Sequence, residues 1–202
     1  MATTLPTATE RREALLDAAT EIVASGDLDA LSMEAVAVRA GVSRPLVYKH
    51  FANKGELLAA VYRREAVRFD AEIVAAVEAA EGLEAMLRAM LRAIFRGAGS
   101  RGDTFTMLQR ASGRDATVRA EQRTRDRRSV RFFAKVAASE FGLGIREARS
   151  AMSVLLSGID AVVAQWRAHR SGAEERFLED LYVGLVLGAL ANVADAPRAP
   201  AP

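Results

Sequence analysis

Arg39, Arg44, Lys49 and Lys54 place four cations in a stretch that holds no carboxylate from residue 35 to residue 55. His50 lies in the same stretch and can add to that charge. A local basic run is the electrostatic footprint of phosphate binding, because each neutralised phosphate releases condensed counterions. A guanidinium has a further capacity: it pairs bidentately with O6 and N7 of guanine. Bulk charge carries none of this signal. Residues 1–54 hold 6 Arg/Lys against 7 Asp/Glu, a formal −1, while residues 55–202 hold 22 against 19, a formal +3. Arrangement, not total charge, points to nucleic acid. Arginine abundance in itself says little, since the 25 Arg and 3 Lys suggest a codon-composition bias.

Other chemistries find no foothold. Cysteine is absent, which excludes disulfides, thiolate metal sites and thiol nucleophiles. The two histidines, His50 and His169, are far apart, and there is no phosphate loop or Glu-x-x-His pair. No catalytic residue, metal site or cofactor is expected. The N-terminal MATTLPTATERR has no apolar run of signal-peptide type, and the uncharged stretch Leu181–Ala194 is short for a membrane span. The expectation is a cytoplasmic protein without membrane association.

The elements that must position the cations are helices. Apolar residues recur at helical spacing, alternating runs are missing, and Ala, Leu, Arg and Glu dominate. The fold expected is all-α: an N-terminal three-helix domain over residues 1–52, a helical domain over 53–194 and a disordered tail over 195–202. The first helix spans about 9–24, with Leu15, Ala18, Ala19, Ile22 and Val23 inward and Gly26 as its stop. Ser32 caps a second helix over 33–40, whose inward residues are Met33, Val36, Ala37 and Ala40. Gly41 and Val42 turn the chain, and Ser43 caps a third helix through Phe51, with Pro45 in its first turn. Asn53 and Glu56 form a capping box that opens a long fourth helix. Beyond a break at 80–82, a helix ends near Arg96 and residues 97–102 read as a loop. Further helices are expected at 103–112, 115–140, 145–170 and 174–194.

Two short helices joined by a glycine turn are a helix-turn-helix. Ala37 is small where the helices must touch, Gly41 suits a left-handed turn, and Val42 and Val47 fill the wedge between them. The segment from Arg12 to Val61, above all Gly41-Val-Ser-Arg-Pro-Leu-Val-Tyr-Lys-His-Phe51 followed by Lys54, resembles the DNA-binding domain of the TetR family of bacterial regulators. The resemblance covers about a quarter of the chain. It implies a third helix in the major groove, with Arg44, Pro45, Leu46 and Lys49 toward base edges and Ser32, Ser43, Tyr48, His50 and Lys54 toward phosphates. Leu46 departs from the small or hydroxylated residue frequent in the family, which removes one polar base contact.

The resemblance further implies a double-stranded operator, a homodimer, a small-molecule effector of unknown identity, and repression as the usual output. Dimer candidates are Leu155, Ile159, Val162, Leu181, Gly184, Leu185 and Gly188, on two helices that pair into a four-helix bundle. Effector-pocket candidates are Met86, Met90, Phe105, Gln109, Arg110, Phe133 and Trp166. A ligand-independent architectural DNA binder is the alternative, and a helical-bundle enzyme a remoter one. Arg119, Arg123, Arg127 and Arg131 recur every four residues and read as a solvated face.

Overall fold

The computed structural model describes residues 7–25, 27–100, 107–108, 113 and 115–196, the last two residues of the second stretch by their helix alone. Among the described residues the helices are α1 (Ala8–Ala24), α2 (Met33–Ala40), α3 (Arg44–His50), α4 (Lys54–Glu78), α5 (Leu83–Ser100), α6 (Ala116–Phe141), α7 (Ile145–Ser157), α8 (Ile159–Ala168) and α9 (Gly172–Asp195). No strand occurs among them, so the all-α expectation holds. The chain forms two compact units. The first comprises the described residues of 1–69 and 101–123, the second those of 70–100 and 124–202.

In the first unit, Leu15, Ala18, Ala19, Ile22 and Val23 face inward from α1 as their spacing requires, joined by Leu16. They meet Met33, Val36 and Ala37 of α2, Val47 of α3, Phe51, and Leu57, Leu58, Val61 and Tyr62 of α4 in one apolar cluster. Ala40 and Val42 pack at its edge. Thr7 caps α1 with a capping box that the sequence reading did not identify: its hydroxyl accepts from the Glu10 amide, and the Glu10 carboxylate accepts from the Thr7 amide at 2.7 Å. Arg64 of α4 locks α1 in place, donating to Asp17 at 2.8 Å, Glu13 at 3.2 Å and Thr20 at 2.8 Å. Leu108 and Val118, far away in sequence, are fully buried in the same cluster. The start of α6 closes on the start of α4 at Gly55, where a Cβ would lie 2.9 Å from Asp115 Oδ2. Only glycine fits there without displacement.

In the second unit, α9 packs on α5, α7 and α8, burying Leu178, Tyr182, Val183, Val186 and Leu190. It is long and apolar enough to cross a bilayer by composition. Its buried face nevertheless carries a charge, Glu179, which Arg92 grips through two nitrogens at 2.8 and 2.7 Å and Arg88 through one at 3.1 Å. A buried carboxylate requires such partners, because desolvation disfavours it otherwise.

Two boundaries differ from expectation. α5 continues through Gly97 to Ser100, so the loop starting at 97 is a helix to at least that point; residues 101 and 102 lie outside the described residues. Leu91, Ile94, Phe95 and Ala98 keep the helical apolar spacing, and their burial outweighs about 1 kcal/mol of helix propensity lost at each glycine. The helix expected over 145–170 is two helices that part at Gly158. The Tyr182 hydroxyl donates to the Leu155 carbonyl at 3.0 Å, and the Gly158 amide donates to it at 3.1 Å, an i to i+3 closure that ends α7. Gly26, most of the helix expected at 103–112, and the tail from 197 lie outside the described residues.

Candidate nucleic-acid interface

α2 and α3 form the helix-turn-helix. The Ser32 hydroxyl accepts from the Ala35 amide at 3.0 Å and starts α2. Gly41 ends it with φ 66 and ψ 33, a left-handed conformation that a side chain would strain. Val42 donates from its amide to the Ala37 carbonyl at 3.0 Å, completing the turn. Val47 is fully buried, and it anchors α3 so that the rest of this short helix faces outward.

Ser43 holds the cap position of α3 by its backbone, but its side chain makes no capping hydrogen bond, contrary to the sequence expectation. Pro45 removes one amide that a cap would accept from, and the next, that of Leu46, already donates to the Ser43 carbonyl at 3.0 Å. The exposed hydroxyl is therefore not engaged in capping. Phe51 is not helical: it is the extended residue after α3, with φ −141 and ψ 122. It is core, as expected, and the Arg12 guanidinium lies 5.0 Å from its ring centroid. The capping of α4 appears in a shifted form: Asn53 Oδ1 accepts from the Glu56 amide at 2.9 Å, while Glu56 reaches back to the amide of Ala52 at 2.7 Å.

On the outer face, Arg44, Pro45, Tyr48 and Lys49 are exposed, while Leu46 and His50 are half-buried. Ser32 and Lys54 are also half-buried. Lys54 Nζ donates to the Leu28 carbonyl at 3.1 Å, so it ties down the segment before α2 while keeping two further N–H donors. Arg44 is organised from two sides. NH1 pairs with Glu34 Oε2 at 3.2 Å, and NH2 lies 3.4 Å from the Tyr48 hydroxyl oxygen with the guanidinium 5.6 Å from that ring's centroid. The tyrosine hydrogen bond and then the Glu34 charge favour the protonated guanidinium still further. The acid-free window thus has a carboxylate folded onto it from just outside, at Glu34. A ten-residue separation across a turn gives no periodic signal for that pairing.

The remaining candidates fall in the second unit or outside the described residues. Met90, Phe133 and Trp166 are buried and Met86 is half-buried; Phe105, Gln109 and Arg110 lie outside the described residues. Phe95 of α5 packs on Trp166 of α8 with ring centroids 5.3 Å apart. Of the dimer set, Leu155, Ile159 and Val162 are half-buried, while Leu181 and Leu185 are exposed. Gly184 and Gly188 would meet nothing within 4 Å if given a Cβ, so the same face of α9 is open. Phe177 and Val154, which the sequence reading left out, are exposed apolar residues as well.

Residues 15–61, the stretch that holds α2, α3 and the start of α4, match the family model described as "Bacterial regulatory proteins, tetR family". The chain is 37% identical over 86 residues to the HTH-type transcriptional activator FasR of Mycolicibacterium smegmatis, a match covering 43% of this chain and 39% of that protein. It is 41% identical over 63 residues to the HTH-type transcriptional repressor KstR of the same organism, covering 31% of each. The chain thus spans well under half the length of these curated relatives. The likeness extends further in three dimensions. A crystal structure of a TetR-like transcriptional regulator from Rhodococcus sp. RHA1 superposes with a TM-score of 0.67 at 26% identity, covering 93% of this chain and 99% of that one. The N-terminal helices thus match the tetR family model in sequence, and the helical architecture is similar to that of a TetR-like regulator over nearly the whole chain.

Proposed function

We propose that the protein is a transcriptional regulator that binds a palindromic operator as a homodimer and responds to a small-molecule effector. The observation that carries the reading is α3 itself: one buried valine fixes a helix whose exposed residues are a cation, a proline, a tyrosine and a second cation. In this reading Arg44, Pro45, Leu46 and Lys49 face bases, and Ser32, Ser43, Tyr48, His50 and Lys54 face phosphates. Residues 1–52 read DNA, and residues 53–194 sense and dimerise.

One helix-turn-helix makes too few base contacts for useful specificity, so two are needed on half-sites about 34–36 Å apart. The open face of α9 around Leu181, Gly184, Leu185 and Gly188 supports self-association, continued by Leu155, Ile159 and Val162. Buried Met90, Phe133 and Trp166, with Met86 beside them in the set, support an apolar effector in the second unit. An effector acts by binding one spacing of the reading heads better than another, and it weakens DNA binding by that difference. Repression is the output we assign, as the names of the KstR relatives state for those proteins.

The test is selection of bound duplexes from a random pool, followed by footprinting. A palindrome with half-sites one helical turn or a multiple apart supports the reading. Failure to enrich any sequence overturns it and favours an architectural DNA binder.

A further inference from the structure

We infer that Glu34 is a specificity-determining positioning residue: its carboxylate, in the first turn of α2, aims the Arg44 guanidinium and so sets how strictly α3 discriminates at one base pair. The inference rests on the DNA-reading proposal above and deepens it. Arg44 opens α3, and Glu34 lies in the first turn of the helix before the turn. The guanidinium is held at both terminal nitrogens, NH1 by Glu34 Oε2 at 3.2 Å and NH2 by the Tyr48 oxygen at 3.4 Å, with the Tyr48 ring 5.6 Å from its carbon. A long exposed side chain otherwise samples many rotamers, and each alternative direction offers its donors to a different base edge or to a phosphate.

The hold leaves reading capacity intact. Five N–H donors less two leave three, and a bidentate pair with guanine requires two. It is also weak enough to adjust on docking, because both partners are more than half exposed, at 57% and 67% of their side-chain surface, and exposed ion pairs contribute little in water.

The same carboxylate has a second effect of opposite sign. Facing a polyanion, it repels phosphates whatever their sequence. Glu34 thus lowers affinity for all DNA while narrowing the choice at one position, which is how specificity is gained by selective repulsion as well as by attraction. A residue that merely stabilises α2 would move neither quantity in this way. Glu21 supplies the control. It forms a similar exposed pair with Arg39 at 3.1 Å in the same unit, but its partner is on α2 and not on α3.

The experiment compares the full-length wild type with Glu34→Gln, Glu34→Asp and Glu21→Gln. Duplex selection identifies the site, and the position that Arg44→Ala relaxes is located in it. Dissociation constants are then measured for the selected site, for that site with the base pair changed, and for mixed-sequence DNA. Glu34→Gln is expected to lower the discrimination ratio roughly threefold to tenfold, the scale of coupling between touching side chains, while tightening mixed-sequence binding. Glu34→Asp keeps the charge but loses the reach, and its ratio is expected to fall as well. Glu21→Gln is expected to leave the ratio unchanged. In an Arg44→Ala background, Glu34→Gln is expected to lower the ratio no further.

A ratio unchanged in Glu34→Gln, one retained in Glu34→Asp, or a loss that persists without Arg44 overturns the inference. A wild-type chain that selects no sequence overturns the DNA-reading proposal and this inference with it. A wild type and a Glu34→Gln variant that select the same site with the same strictness overturn this inference alone.

Discussion

α3 and α9 both leave much of their surface uncovered, and they do so with opposite chemistry. α3 buries Val47 alone among its seven residues and exposes Arg44, Pro45, Tyr48 and Lys49. α9 buries six residues on one side and leaves Phe177, Leu181, Leu185 and Val193 exposed. A short charged helix is content in water, and its unused donors matter only when an anion with matching acceptors arrives. Exposed leucine and phenylalanine on one face of a long helix mark a surface suited to a like apolar face. In the proposed function the two surfaces have two partners, a polyanion for the first and a second copy of the chain for the second. If that division is right, breaking the DNA contact leaves self-association intact, while breaking self-association weakens DNA binding only by removing the second reading head.

Val47→Asp is the largest test. An unpaired carboxylate in the centre of the first unit's core should cost about 4 kcal/mol or more and abolish operator binding. Because Val47 is buried among residues of the first unit only, sedimentation should still find the wild-type assembly state. Loss of both together would mean that dimerisation depends on the reading head. Leu185→Glu is the converse. Each copy would bring an unpartnered charge into the joint face, costing about 3 kcal/mol of association, roughly a hundredfold in the association constant. Operator affinity should fall with it, while thermal melting of the dilute chain should stay near wild type, since Leu185 is 61% exposed. An undiminished dimer would place the interface elsewhere.

Legibility differed between the regions for a physical reason. The reading head is built from contacts a few residues apart: the α1 stripe, the Ala37–Gly41–Val47 set and the Asn53–Glu56 cap. Period and turn chemistry therefore exposed it. What escaped were contacts made across the chain. Glu34 reaches Arg44 over a turn, Leu108 and Val118 enter a core composed mainly of residues before 67, and Asp115 closes on Gly55. In the second unit the same limit was more costly. Tyr182 divides a helix that periodicity draws as continuous, and Glu179 is buried because Arg88 and Arg92 come to meet it. Ser43 is a case of local reasoning carried too far: the residue type suits a cap, but Pro45 removes one of the donors it would accept from.

A smaller effect separates reading from holding within the first unit. Arg44→Ala should cost about 1–3 kcal/mol on the selected site and relax one position, whereas Lys54→Ala should weaken all sequences alike and flatten the salt dependence of binding by one contact. Because Lys54 also donates to the Leu28 carbonyl, its variant should in addition speed amide exchange in residues 27–31, a signature that Arg44→Ala lacks. Equal loss on every sequence from both variants would show that α3 grips phosphate only.

The smallest test uses the caps that open α1 in the first unit and α9 in the second. Thr7 caps α1 and Ser171 caps α9, each hydroxyl accepting an amide three residues on, at 3.2 and 3.1 Å. Replacing either by alanine should cost about 1 kcal/mol and speed amide exchange in the first turn behind it. Acid should separate them. At α1 the Glu10 carboxylate accepts from the Thr7 amide and from its hydroxyl, and these two bonds, the amide first, hold its pKa below the ordinary carboxylate value. A carboxylate favoured in the folded state contributes stability above its unfolded pKa and loses it as pH falls through the lowered folded one. Exchange in the first turn of α1 should therefore accelerate on acidification, relative to the pH dependence of exchange in an unstructured chain, and Glu10→Gln should remove that dependence. The Ser171 cap joins a hydroxyl to an amide, neither of which titrates in that range, so that bond itself should not weaken on acidification. If both turns loosened together in acid, the response would belong to the whole chain and not to the cap of the reading head.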